Sequence, residues 1–298
     1  MGLFFSVILP IIAVFATGFI LQRIRVLDVQ AVAAVSIYIF TPALVFDSLY
    51  EAEFNLGYME ILVFMFVLFY AMVFLNKLLA KVWKWEQSTE SAAILATGFM
   101  NSGNYGLPVV LFSLGEKAVP YAIFIMVVQS LQNNFFGIYY ASRSTSGMSR
   151  ALKNVMKMPT TYAAIIAIGF QLLHVPMPKP VLSTVSMVGD AAIPLMMVML
   201  GMQLGSIVSM RNNWQVIISG VMLKMIAAPL IAFLFVWALD VDPLIGAVLI
   251  IISAMPTAAT TTMYAIEFDT EPDLVSSITF ISTVLSIVTL SILLNIIV

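Results

Sequence analysis

The sequence holds no cysteine and one histidine, and only 9% of its 298 residues are charged. Without cysteine there are no disulfides, thiolate metal sites or cysteine nucleophiles, and the redox compartment stays open. The scarcity of charge, against about 25% in soluble domains, excludes an ordinary soluble protein. A net charge of −2 with scattered basic residues leaves no stripe to neutralise phosphates, so nucleic acid is not an expected partner. No HExxH motif and no mid-depth aspartate pair is present, so an intramembrane hydrolase lacks its residues. No enzyme activity, metal or cofactor is therefore expected, and no carboxylate-rich cage for sodium accompanies the polar stretches described below.

What is present is apolar: 62% of the chain is hydrophobic. Runs of spanning length predict an all-α polytopic membrane protein of ten segments, near 2–21, 32–49, 58–80, 91–114, 118–141, 158–174, 180–206, 213–238, 243–266 and 272–297. Residues 1–21 have no basic n-region and no small-residue cleavage site, so they read as the first span rather than a cleavable signal peptide. The joints are short, and the longest, 142–157, is a basic linker. Arg23, Arg25, Lys77, Lys81, Lys84, Arg143, Arg150, Lys153, Lys157 and Arg211 all fall in odd-numbered joints, against Lys117 and Lys179 in even ones. Basic residues collect on the cytoplasmic side, which predicts both termini outside a cytoplasmic membrane.

Proline spacing points to a repeat. Pro10 and Pro159 are 149 apart, Pro42 and Pro194 152, Pro108 and Pro256 148, Pro120 and Pro272 152. Each pair falls in matching segments of two five-segment halves, 1–141 and 158–298, joined by 142–157. Five is odd, so the second half enters the membrane upside down, and the expected architecture is two inverted five-helix repeats.

Two segments are interrupted by polar and backbone-breaking residues. GFMNSGNYGLP runs from Gly98 to Pro108, and SAMPTAATTTMYA from Ser253 to Ala265. Unsatisfied backbone in hydrocarbon costs several kcal/mol, so such breaks must be buried in protein or line a cavity. Paired breaks in the two halves of a transporter predict broken helices 4 and 9 crossing near the midplane, their half-helix N-termini turned to an anion.

In the first break Asn101, Ser102 and Asn104 supply polar groups, Gly106 permits close approach, and Pro108 frees a carbonyl. Packing between helices is the plainer alternative reading. In the second, Pro256 precedes Thr257 and Thr260, whose hydroxyls could instead bond back to their own helix. Gln129, Gln132 and Asn133 share an i, i+3, i+4 face, and Thr279, Ser282, Ser286 and Thr289 form a weaker counterpart. Lys224 is the one basic residue deep in a span. An intramembrane ion is costly and functional by default, so it is expected to meet an anionic solute or a carboxylate such as Asp47 or Asp190. Gly201 and Gly205 form a GxxxG spacing suited to close helix packing or a dimer.

Several of these stretches together resemble the auxin efflux carrier family: NSGNYGLP, TPALVF from Thr41, IPLMMVMLG from Ile193, the Lys224-to-Pro229 spacing and MPTAATTTMYAIEFD from Met255. The resemblance covers essentially the whole chain and implies a compact bacterial-type permease. It further implies a homodimer, with segments 1, 2, 6 and 7 as scaffold and segments 3, 4, 5, 8, 9 and 10 as a moving transport domain. Asn101, Pro108 and Pro256 would lie at the substrate site. The function expected is secondary transport of small organic anions, chiefly carboxylates, with a channel or passive uniporter as the alternative.

Overall fold

The computed structural model describes residues 4–25, 27–142, 158–205 and 213–297. The basic linker 143–157 and the joint carrying Arg211 lie outside the described residues. Among the described residues the regular structure is helical. Six helices are long and apolar enough to cross a membrane: α1 (Phe5–Arg25), α2 (Val29–Tyr50), α3 (Leu56–Trp83), α8 (Lys179–Gly205), α9 (Trp214–Leu239) and α12 (Pro272–Ile297). Between them come α4 (Gln87–Gly98), α5 (Leu107–Leu114), α6 (Val119–Gln132), α7 (Pro159–Leu172), α10 (Pro243–Ser253) and α11 (Ala259–Glu267). The segments expected at 91–114 and 243–266 are thus each divided, into α4 and α5 and into α10 and α11.

Proline shapes the long helices in a recurring way. π-helical turns at Phe4–Ile8, Ser36–Phe40, Ser102–Gly106 and Leu223–Ala227 each end two residues before a proline: Pro10, Pro42, Pro108 and Pro229. A proline ring clashes with the carbonyl four residues back and offers it no N–H. A widened i→i+5 turn moves that carbonyl aside, so the helix continues. A fifth π turn, Asn133–Gly137, prolongs α6 into Ile138–Ala141 without a proline. Short side chains close the helix starts: Asp28 accepts from the amides of Gln30 and Ala31, Asn55 from Gly57, and Asp242 from Leu244 and Ile245.

The helices pack in two neighbourhoods. α1 lies along α8, and α2 lies against α7 and α8. The first contact is backbone to backbone: a Cβ on Gly201 would stand 1.9 Å from the Phe15 carbonyl oxygen, and one on Gly18 2.0 Å from that of Val198. Gly205 faces Gln22 in the same seam. The GxxxG spacing is therefore engaged within the chain, in the close helix packing expected of it, rather than at a dimer face. α2 closes on α7 through the Phe46–Phe170 ring contact at 6.3 Å and on the α7–α8 joint through Tyr50, whose hydroxyl accepts from the Met177 amide at 3.0 Å. The remaining helices pack around α4, α6 and α12, burying Phe69, Phe99, Val216, Leu274 and Ile278 in one apolar cluster.

Candidate functional site

The two interruptions lie against each other. After Gly98 the backbone turns extended at Phe99, and Met100 forms an antiparallel bridge with Thr257. The Asn101 amide donates to the Pro256 carbonyl at 2.8 Å, and the Ala258 amide to that of Phe99 at 3.1 Å. Backbone that leaves a helix in a buried place must find partners elsewhere, and each break supplies the other's. From this bridge α5, by way of its π turn, and α11 both set out, and the first amides of a helix have no intrahelical acceptor.

Side chains tie the bridge to its surroundings. Thr257, fully buried, donates its hydroxyl to the Ala96 carbonyl at the end of α4, while its amide donates to Ser282 Oγ of α12 at 3.3 Å. Gln129 of α6 donates Nε2 to the Met100 carbonyl. Asn133 donates Nδ2 to Thr260 Oγ1 at 2.8 Å. Gly106 admits Ile252, whose Cδ1 would lie 2.7 Å from an added Cβ. Ser102 and Pro108 are buried in the same turn, and Asn104 is half-buried beside them. Three polar atoms in this cluster have no hydrogen-bond partner among the described residues: Asn101 Nδ2, Gln129 Oε1 and Asn133 Oδ1.

Two expected members stand apart. Gln132 is 4% exposed and lines a different cavity, of about 500 Å3, walled by Phe66, Phe69, Tyr70, Phe135 and Phe136. At 100° per residue, Asn133 lies 40° from Gln129 while Gln132 lies 60° the other way, so the face divides. Lys224, 1% exposed, sits in the π turn of α9, and no carboxylate among the described residues stands against its ammonium. Neither proposed carboxylate pairs with it: Asp47 faces Ser186, Glu51 and Asp190 at the α2–α8 contact.

Tyr105 escaped the sequence reading although it lies inside the first break. It is 1% exposed, its hydroxyl meets Ser286 Oγ at 3.2 Å, and Phe15 packs edge-on at 5.0 Å. A buried tyrosine needs a partner for its hydroxyl, and the polar stripe of α12 was the available signal. The stripe is used along its length, with Thr279 near Thr262 at 3.4 Å and Thr289 against Met225.

A cavity of about 650 Å3 opens beside α11. One wall is Gln22, Leu200 and Gln203 from α1 and α8; the other is Ala259, Thr262, Thr279 and Thr283 from α11 and α12, with Asp28 and Asp273 also lining it. It therefore separates the α1–α8 neighbourhood from helices that hold the bridge.

The family described as membrane transport protein matches residues 3–137 and 143–294. A protein of Methanothermobacter thermautotrophicus described as an uncharacterized transporter is 29% identical over 293 residues, covering 95% of each chain. A second, from Methanocaldococcus jannaschii and also described as an uncharacterized transporter, is 27% identical over 266 residues, 86% of this chain and 85% of its own. The chain belongs to the membrane transport protein family of auxin-efflux-like carriers, and it is a multi-pass membrane transporter rather than an enzyme.

Proposed function

We propose that the protein is a secondary carrier of small organic anions, binding a carboxylate where the two breaks meet. The observation that carries this reading is the Met100–Thr257 bridge, because it brings two helix starts to one buried point beside Asn101 Nδ2, unpartnered among the described residues. Helix starts present partial positive charge and unpaired N–H groups, the ready-made chemistry of anion binding. Asn101 Nδ2 adds a side-chain donor. Lys224, buried with no counter-charge among the described residues, adds positive potential within the same group of helices.

The matched prolines and the facing breaks support two inverted five-helix repeats, residues 1–141 and 158–298, whose broken fourth and ninth helices cross. On this reading α1, α2, α7 and α8 form a scaffold, through which two copies associate, and the other helices form the mobile body. The cavity of about 650 Å3 between the two groups supports movement of one past the other in an elevator-like cycle. On the same reading, supported by the basic joints, that cavity's rim at Asp28 and Asp273 lies on the cytoplasmic side of the cytoplasmic membrane, with both termini outside.

Flux of radiolabelled mono- and dicarboxylates into proteoliposomes tests the site. Asn101→Ala is expected to lower flux about ten- to hundredfold, the value of one hydrogen bond to a charged group. Unchanged flux in the variant removes the site. Counterflow separates a carrier from a channel, since only a carrier shows trans-stimulation.

A further inference from the structure

We infer that the solute carries a hydrogen-bond donor as well as its carboxylate, and that a hydroxy-carboxylate is favoured over the same acid without the hydroxyl. The inference rests on the binding reading above and deepens it. It starts from the direction of one amide. Gln129 Nε2 donates to the Met100 carbonyl, and a carbonyl can only accept, so the orientation of that amide is fixed and its oxygen must face elsewhere. That oxygen has no partner among the described residues, and Gln129 is 5% exposed.

Asn133, one turn on, has a similar pattern, set against a hydroxyl rather than a carbonyl. Its Nδ2 is engaged by Thr260, while its Oδ1 is unpartnered among the described residues and lies 2.5 Å from the place a Cβ on Gly137 would take. Glycine at 137 is therefore what leaves room for that oxygen. Residues at i and i+4 share a helix face, so both side chains leave α6 on one side, where their amide nitrogens reach Met100 and Thr260. Against these two acceptors stands one unpartnered side-chain donor, Asn101 Nδ2, on the residue that follows Met100.

A carboxylate alone accepts and never donates. It satisfies Asn101 and the helix-start amides, but it leaves both α6 oxygens buried and unpaired, and it repels them. A hydroxyl both donates and accepts, so a hydroxy-carboxylate meets the donor and pairs one of the two acceptors, where the plain acid pairs neither. Sites built to bond a hydroxyl discriminate strongly against the analogue lacking it, because their own polar groups are then stranded.

The test is ligand-induced thermal stabilisation of the purified full chain by matched pairs: lactate with propionate, malate with succinate, 3-hydroxybutyrate with butyrate. The hydroxylated member of a pair is expected to reach half its maximal shift at a concentration about tenfold lower. Asn133→Ala is expected to narrow that gap, while Asn101→Ala weakens both members alike. Equal half-saturation within every pair, with Asn101→Ala still weakening both, overturns this inference and leaves carboxylate binding standing. No stabilisation of the wild-type chain by any of the acids overturns both. The comparison within wild type needs no variant to fold.

Discussion

Gly201→Ala tests the α1–α8 seam, whose geometry allows the effect to be worked out. The added Cβ would stand 1.9 Å from the Phe15 carbonyl oxygen, 2.8 Å from its carbon and 2.9 Å from the Phe19 nitrogen. All three are backbone atoms, so no rotamer change relieves the clash. An ordinary contact needs about 3.5 Å, so the helices must part by roughly 1.5 Å. Parting them also loosens the reciprocal approach of Gly18 to Val198. Overpacking of this kind costs about 1–3 kcal/mol, offset by up to about 1 kcal/mol of improved helix propensity. In a thermal unfolding assay of the detergent-purified protein the variant should melt about 2–5 °C lower. Gly169→Ala is the control, because nothing lies within 4 Å of a Cβ there, and it should melt no lower than wild type. Equal melting of the two variants would refute the claim that this seam is closed by backbone contact. Phe15 also packs edge-on against Tyr105, so displacement of α1 should reach the bridge and reduce flux as well.

Two further substitutions probe the bridge and the buried cation. Thr257→Val keeps the shape but removes the hydroxyl held by the Ala96 carbonyl, and should lower stability by about 0.5–2 kcal/mol in a thermal or denaturant titration. Unchanged stability would show that the backbone pairing alone holds the two breaks together. Lys224→Met replaces a buried side chain that has no counter-charge among the described residues by an apolar one of similar length; it should melt no lower than wild type yet transport carboxylates more slowly. Lower melting with normal flux would make Lys224 a structural residue.

The sequence disclosed the parts of the fold that depend on composition and backbone chemistry. Apolar length marked the long helices, and Pro108 with its neighbouring glycines marked the first break. The reason the other prolines recur was not visible, because a π turn ahead of Pro10, Pro42 or Pro229 depends on how the local helix relaxes. Face assignments were legible only to the resolution of the helical wheel: Gln129 and Asn133 meet the bridge, while Gln132, counted with them, lines an aromatic cavity. Partner assignments failed where they needed three dimensions. Nothing in the spacing of Gly201 and Gly205 says whether their close neighbour is another copy or, as here, α1. The same holds for Lys224, whose proposed partners Asp47 and Asp190 lie at a different helix contact.

The way the breaks are joined makes Asn101 an unusually clean residue to change. The bridge is held by main-chain groups, the Asn101 amide on Pro256 and the Ala258 amide on Phe99, and neither bond uses the Asn101 side chain. The side chain's Nδ2 is instead a buried donor without a partner among the described residues, which destabilises the folded protein by about 1–3 kcal/mol as long as nothing occupies it. Asn101→Ala removes that penalty and opens a small cavity in exchange, so the ligand-free variant should melt within a few degrees of wild type or slightly above it. Its response to a bound carboxylate should fall at the same time, since the donor that distinguishes occupied from empty is gone. Stability and binding therefore move independently at this position, as expected where a site keeps a polar group unpaired for its ligand. A variant that melts far lower and loses flux in proportion would place Asn101 among the residues that hold the breaks together, and the anion would then have to be bound elsewhere.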